Sequence, residues 1–250
     1  MKKCLPFASF LFTIIVWETA VRAFGISVHS MPAPSQVALG LWEMIRSGVI
    51  FHHITASLFR VTWGYFLAVC TAVPIGLVLG IWRQAGQLAE PLIQFLRPIS
   101  PLAWIPFALL WLGIGDKPAV FLIFLSVFFP MLVFSMSGVS GIKKTYIRIA
   151  ANFGLKGRDY YVKVILPAAL PEIVTGLRIS LGTAWVVIVA AEMIAVKSGL
   201  GYLIIDARNS LRMDHVIGAM IIIGATGLVL DRCIRKLEDL PAVKWSRVLK

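Results

Sequence analysis

The side chains that could carry covalent or metal chemistry in this chain are few and scattered. Cys4, Cys70 and Cys233 lie far apart and match no disulfide or metal-binding pattern. His52 and His53 are adjacent, so on a helix they point about 100° apart and cannot hold one metal from one face. The sequence contains no GxxxxGK[ST] phosphate-binding loop. We therefore predict no catalytic residue, no metal site and no cofactor bound by this chain.

Ionisable side chains inside apolar segments are the other candidates for function. Glu18, Arg178 and Glu192 lie within long apolar runs. A charge at the centre of a membrane helix costs about 2.5–3.5 kcal/mol, so such groups face a bundle interior or a cavity. For Glu192 we expect a structural or gating role, with a hydrogen bond to another helix or to Arg208. For Arg178 we expect the side chain to reach the phospholipid headgroups.

The composition indicates a membrane protein. The chain has 250 residues, of which 59% are hydrophobic and 14% charged, and its mean hydropathy is +0.87. The formal charge of +12 could indicate nucleic acid. The cations, however, cluster between the apolar runs, which favours contact with anionic membrane lipid and no nucleic-acid partner. We predict a single all-α, polytopic membrane domain over residues 1–250.

About six apolar runs are long enough to cross a hydrocarbon core of roughly 30 Å. Lys and Arg concentrate near the N-terminus, in the central gap and after the last run, which places both termini in the cytoplasm of a bacterial inner membrane. We expect an outside interfacial segment at 31–60 and a cytoplasmic tail at 232–250. The predicted spans are about 5–24, 61–82, 92–113, 119–139, 173–196 and 215–230.

The central basic segment, residues 145–167, has the sequence signals of two short helices with a bend between them. Glycine adopts positive φ at little cost, so Gly154 and Gly157 predict the bend. Proline cannot continue an interior helix, so Pro167 is expected to end the second helix, residues 158–165. We predict a compact cytoplasmic lever, joined rigidly to the fifth span, on which a cytoplasmic partner docks.

The same segment resembles the EAA loop of ABC-importer permeases. The matching frame is Gly154, nine residues, Val164, one residue and Leu166-Pro167, whereas Arg148-Ile149-Ala150 stands where Glu-Ala-Ala is usual. In that family the loop seats in a groove of an ATP-hydrolysing subunit. The resemblance therefore implies contact with the ATPase by five residues: Ala150, Gly154, Tyr160, Leu166 and Pro167.

Further segments resemble the nitrate/sulfonate/taurine/bicarbonate branch of these permeases, which also includes riboflavin and pyrimidine-precursor importers. They include MPAPSQV, PLIQFLRPISPLAWIPFALLWLGIG and VAAEMIAVKSGLGYLIIDAR. The resemblance implies the type I ABC importer fold and a homodimeric pore that works by alternating access. It also implies two ATP-binding cassette subunits that use ATP and Mg, and an extracytoplasmic substrate-binding protein. The implied cargo is a small oxyanion or sulfonate, with riboflavin or a pyrimidine precursor as the alternative.

Two further regions are candidates for the translocation pathway and its outer mouth. Pro98, Pro101 and Pro106 predict broken helical hydrogen bonding in the third span, which is tolerated where neighbours or water satisfy the backbone. Trp104, Trp185 and Glu192 are the candidate pathway or gate residues, although packing explains both tryptophans equally well. On the outside, Asp206 and Arg208 are expected to contact the binding protein.

A stand-alone secondary transporter is the main alternative from another class. Such a protein needs coupling-ion carboxylates within its spans or a repeated half. No internal repeat is evident, and only Glu18 and Glu192 are acids inside predicted spans. An intramembrane enzyme would need a nucleophile with a base or a metal set, and the sequence offers neither. The sequence therefore favours a transport subunit that a separate motor drives.

Overall fold

The computed structural model describes residues 5–239, and these residues form helices with no strand. Part of the predicted tail, residues 240–250, and the N-terminal cations Lys2 and Lys3 lie outside the described residues. The elements in chain order are α1 Leu5–Ala23, α2 Pro34–Arg46, α3 Val49–Ile81, α4 Arg83–Leu96, a 3-10 turn Pro101–Trp104, α5 Ile105–Leu112, α6 Asp116–Ser140, α7 Lys144–Asn152, α8 Gly157–Tyr160, a π-helical turn Tyr161–Ile165, α9 Leu166–Ala195, α10 Leu200–Asn209 and α11 Met213–Glu238.

Fewer helices qualify as membrane spans than the six that the sequence predicted. Within residues 5–239, four helices are long and apolar enough to cross a membrane: α3, α6, the continuous helix Gly157–Ala195 and α11. A fifth span results if the bent pair of α4 and α5 counts as one. Helix α1 is not among them, and its last turns carry the ion pair of Glu18 and Arg22.

The predicted third span, 92–113, is two helices rather than one. Segments Arg83–Leu96 and Pro101–Leu112 meet at 82°. The break falls where Pro98 and Pro101 lack backbone donors, so the predicted interruption of this span is confirmed. The short helix α5 therefore enters the bundle from a sharp bend.

Helices α3, α6 and α9 form the centre of the bundle, with α6 packed along both neighbours. Small residues let the backbones approach closely, as expected for helices in lipid. A Cβ added to Gly64 of α3 would lie 2.7 Å from Ile123 of α6, and one added to Gly138 of α6 would lie 3.0 Å from the carbonyl of Ala169 of α9. This close packing gives the candidate sites a rigid frame.

Helix α2 lies against α11, with Val37, Gly40 and Met44 buried. The helix begins at Pro34, so Ser35 lies in its first turn and does not cap it. The Ser35 backbone N–H and hydroxyl instead donate to the carboxylate of Glu18 at 3.0 and 2.9 Å. An acid from α1 therefore satisfies a donor at the start of α2 and fastens the two helices together.

Candidate functional site

The first half of the predicted lever is helix α7, which ends in a Schellman motif. The Leu155 N–H donates to the carbonyl of Ala150, and the Gly154 N–H donates to the carbonyl of Ala151, both at 3.0 Å. Gly154 has φ +66°, and a Cβ there would meet nothing within 4 Å. Backbone conformation, rather than space, therefore requires glycine at this position.

The second half of the lever runs without a break into α9. The prediction that Pro167 ends this helix is wrong, because the helix is continuous from Gly157 to Ala195. A π-helical turn precedes the proline, and its Leu166 N–H donates to the carbonyl of Tyr161 five residues earlier. The wider π-helical turn leaves room for the proline ring, and it tolerates the backbone N–H that proline lacks. The lever is thus joined to α9 as one helix.

The residues predicted to contact a partner differ in exposure. Gly154 and Leu166 are exposed and Tyr160 and Pro167 half-buried, whereas Ala150 is buried. Phe153, which the sequence reading did not select, is 80% exposed. The sequence does contain a signal for Phe153, because it is a large apolar residue directly before Gly154, the glycine that ends α7.

At the opposite end of α9, a guanidinium is buried between two carboxylates. Arg60 of α3 is 2% exposed and Glu192 of α9 is fully buried. The Arg60 Nη1 lies 2.6 Å from Glu192 Oε1, and its Nε lies 2.7 Å from Asp116 Oδ1 at the start of α6. Arg60 also donates to the backbone carbonyl and hydroxyl of Ser198. One side chain therefore joins α3, α6, α9 and the segment before α10.

The Glu192 carboxylate is satisfied by further donors. The Ser57 hydroxyl lies 2.8 Å from both carboxylate oxygens, and the Gly201 N–H donates to Oε2 at 3.0 Å. The Ser57 oxygen in turn accepts from the Leu200 N–H at 2.9 Å. A buried charge persists only when it is paired and hydrogen-bonded in this way. We call Ser57, Arg60, Asp116, Glu192 and Ser198 the ion cluster.

Two glycines shape the chain around the ion cluster. Gly199 has φ +104°, and a Cβ there would collide with the carboxylate of Glu192. A Cβ on Gly201 would collide with the carbonyl of Val189. The Gly199 N–H donates to His53 Nδ1 at 3.0 Å, which holds the turn on α3. The turn into α10 is therefore built on the buried carboxylate.

The structure shows the partners of both ionisable residues of α9. Of the two partners predicted for Glu192, the hydrogen bond to another helix is present, through Ser57 and Arg60 of α3. Arg208 is not its partner and is exposed on α10 together with Asp206. Arg178, for which the sequence predicted contact with phospholipid headgroups, pairs with two acids of α11. Its guanidinium lies 3.0 Å from Asp231 and 3.1 Å from Glu238.

The two tryptophans predicted for the pathway lie in packed surroundings. Trp185 is buried, and its Nε1 donates to the carbonyl of Ile223 of α11 at 3.1 Å. Trp104 ends the 3-10 turn and contacts Phe107, with ring centroids 6.1 Å apart. The structure brings neither tryptophan into the ion cluster, so of the three candidate pathway residues only Glu192 belongs to it.

Long apolar helices, a buried ion pair and an exposed lever that continues into a membrane helix are the features of one class of protein, a membrane transport subunit. Residues 72–239 match the model of the family described as Binding-protein-dependent transport system inner membrane component, and the chain belongs to that family. It is the permease subunit of an ABC importer, a transport component and not an enzyme.

Three relatives illustrate the family. An ABC transporter permease protein of Methanocaldococcus jannaschii is 45% identical over 87% of this chain and 79% of its own. The taurine transport system permease protein of Escherichia coli is 34% identical over 90% of this chain and 84% of its own. The bicarbonate transport system permease protein of Synechococcus elongatus is 36% identical over 94% of this chain and 87% of its own.

A solved structure has the same fold. An inward-facing structure of the MetNI methionine ABC transporter aligns with a TM-score of 0.61 at 17% identity. The alignment covers 76% of this chain and 96% of that one. The predicted fold class, an all-α permease of the type I ABC importer kind, is therefore confirmed.

Proposed function

We propose that two copies of this chain form the pore of an importer for a small oxyanion or sulfonate, such as nitrate, an alkanesulfonate, taurine or bicarbonate. Two partner subunits hydrolyse ATP with Mg and grip the lever, and a substrate-binding protein delivers the solute from outside. Both termini lie in the cytoplasm, on the same side as the lever. The names of the taurine and bicarbonate relatives support the proposed cargo.

One observation carries this proposal: the lever and the ion cluster lie at opposite ends of one helix. The continuous helix from Gly157 to Ala195 spans about 58 Å at 1.5 Å per residue. A partner that moves the lever therefore moves Glu192, because no flexible break intervenes. The ATPase contacts Gly154, Tyr160, Leu166 and Pro167 at the surface of the lever, and the buried Ala150 supports that surface from within α7.

The ion cluster is the proposed outer gate. Arg60, Asp116, Glu192 and Ser198 come from four different segments, so rocking α9 must either carry them together or separate them. Packed interfaces of this kind hold two discrete arrangements rather than deforming continuously. Glu192 acts in gating, and its buried charge is neutralised by Arg60 rather than offered to an anionic cargo. Trp104 and Trp185 support the pathway wall from behind.

The test is uptake by the reconstituted complex. The permease, its ATPase and its binding protein are placed in proteoliposomes, and uptake of radiolabelled taurine, bicarbonate and nitrate is measured with ATP inside. We expect saturable uptake of at least one of these anions that requires both partners. Uptake confined to a cation or to a neutral solute would contradict the proposed cargo class. Calorimetry with the binding protein identifies the preferred anion independently.

A further inference from the structure

A stripe of polar side chains on α4 belongs neither to the ion cluster nor to the lever. Glu90, Gln94 and Arg97 follow one another at spacings of four and three residues, so they share one face of the helix. Arg97 directly follows α4 with helical dihedral angles, φ −57° and ψ −42°, and continues that face. Together, α4 and α5 count as a fifth candidate span. Ionisable side chains within a span face the bundle interior or a water-filled cavity and mark pathways for solutes.

The polar stripe borders a cavity of about 530 Å³ between α4 and α6. The cavity lies at the end of the bundle that carries the lever, because its lining includes Ser140 and Gly141 at the end of α6, and α7 begins three residues later. A volume of this size is typical of small-molecule sites. The cavity is therefore placed where a solute that has passed the ion cluster would leave the bundle.

Opposite charges lie at the two ends of the polar stripe and do not neutralise each other. Glu90 and Arg97 are seven residues apart, about 10 Å along the helix axis, whereas helix side chains pair at spacings of three or four residues. Both side chains are exposed, and within residues 5–239 neither forms an ion pair. Gln94 lies between them, and its Nε2 donates to Glu90 Oε1 at 3.0 Å. The cavity therefore offers a carboxylate and a guanidinium as separate contacts.

These two charges indicate a ligand that carries a cation and an anion on one small frame. A guanidinium binds the oxygens of an anionic group through charged hydrogen bonds, to which the Ser137 hydroxyl can add a donor. A bare oxyanion would also meet the Glu90 carboxylate and the partly negative C-terminal end of α6, both of which favour a cation. Ile93, Val133 and Met136 supply an apolar wall for the methylene groups between the two charges.

We propose that this cavity binds an aminoalkanesulfonate in transit, with its sulfonate on Arg97 and its ammonium on Glu90. Taurine, in which two methylene groups separate the charges, is the member of the proposed cargo class that has both. The inference rests on the proposed function and narrows it, since nitrate, bicarbonate and simple alkanesulfonates lack the ammonium. An ethanolamine lipid headgroup carries the same pair of charges on a phosphate frame, so the test separates a free solute from the membrane.

The test measures binding to the permease and its ATPase in nanodiscs of phosphatidylglycerol, a lipid without an ammonium group. The binding protein is left out, so that its own selectivity does not enter. Taurine and isethionate, in which a hydroxyl replaces the ammonium, are titrated separately by saturation-transfer NMR. We expect the half-saturating concentration of isethionate to be at least about tenfold higher, because isethionate leaves the Glu90 carboxylate without its charged partner.

Two variants assign the contacts. We expect Glu90→Gln to raise the half-saturating concentration of taurine about tenfold and to leave that of isethionate within about twofold of wild type. Arg97→Gln is expected to weaken the binding of both solutes about tenfold, because both carry the sulfonate. Glu172→Gln and Arg46→Gln are the matched controls, since they remove exposed charges that do not line the cavity. A purely structural role for Glu90 would not distinguish between the two solutes.

Three results would overturn the proposed site: no binding of taurine by the wild type, equal affinity for taurine and isethionate, or wild-type taurine binding by both Glu90→Gln and Arg97→Gln. Loss of taurine binding when phosphatidylethanolamine is added to the nanodiscs would assign the cavity to lipid and overturn it as well. None of these results contradicts the proposed function, which uptake by the complete complex tests separately. A complete complex that takes up none of the proposed solutes would overturn the proposed function, whatever the binding of taurine.

Discussion

Glu192 and Arg60 are the pair of residues whose removal has the largest expected effect on folding. Removing one partner of a buried ion pair leaves an uncompensated charge, which costs about 3–5 kcal/mol. We therefore expect Glu192→Gln to lower the free energy of unfolding by about that amount. Arg235→Gln, which breaks the exposed pair with Asp231, should cost about 1 kcal/mol or less. Denaturant or thermal unfolding in detergent measures both.

A double-mutant cycle tests whether Glu192 acts through Arg60. If the two side chains stabilise each other, the double variant Arg60→Gln/Glu192→Gln is less damaged than the sum of the single variants, by about 1 kcal/mol or more. If the changes in the free energy of unfolding simply add, the two charges act independently, which would contradict the 2.6 Å contact between Arg60 and Glu192.

Gly154 tests the lever at the scale of one residue. Valine is strongly disfavoured at φ +66°, so Gly154→Val should distort the end of α7 and separate ATP hydrolysis from uptake. Gly182→Val is the matched control, because Gly182 lies within α9 and a Cβ there meets nothing within 4 Å. Uptake per ATP hydrolysed is the measurement. Wild-type coupling in Gly154→Val would contradict the assigned role of the bend.

At the scale of elements, the continuous helix α9 is the part of the proposal most open to test. The double variant Ile179→Gly/Val186→Gly lowers the helix propensity of α9 by about 1 kcal/mol per site relative to alanine. Both side chains are exposed, so little packing is lost. Ile179→Ala/Val186→Ala removes nearly the same atoms but keeps helix propensity. We expect the glycine pair to lose uptake per ATP and the alanine pair to retain it. Equal loss in both pairs would indicate that the side chains matter and not the rigidity.

The contact between α2 and the start of α11 is expected to depend on pH. The Arg212 guanidinium donates to Glu43 and lowers the pKa of that carboxyl below its ordinary value of 4.5. Because the folded-state pKa is depressed, this contribution to stability is complete above about pH 4.5 and is lost as the pH falls through the folded-state value. The melting temperature of wild type should therefore approach that of Glu43→Gln as the pH falls below 4.5. A constant difference between the two across this range would rule out the contact.

Local rules explain both the bend that the sequence predicted correctly and the helix end that it predicted wrongly. The bend at Gly154 and Gly157 was predictable, because both residues adopt a positive φ that glycine favours. The predicted helix end at Pro167 does not occur. The rule against proline inside a helix takes no account of the π-helical turn that precedes this residue. Nor does any local pattern predict that Glu18 of α1 accepts from the Ser35 N–H at the start of α2.

Long-range contacts explain what sequence reasoning missed at the scale of the whole molecule. Asp116 and Glu192 lie 56 and 132 residues from Arg60 in the sequence. No local pattern predicts that both carboxylates contact its guanidinium. Arg60 looked like an ordinary cation beside an apolar run. The membrane class, the lever and the family were accessible because hydropathy and short motifs are local. The ion cluster was inaccessible because it depends on how α3, α6 and α9 pack.

The central claim is that this permease moves solute only when a separate motor works its lever. The direct measurement is uptake of radiolabelled anion into liposomes that hold the purified chain alone, compared with liposomes that also hold the ATPase and the binding protein. We predict no uptake above protein-free liposomes for the chain alone, with or without an ion gradient, and ATP-dependent uptake for the complete complex. Concentrative uptake by the chain alone would contradict the account.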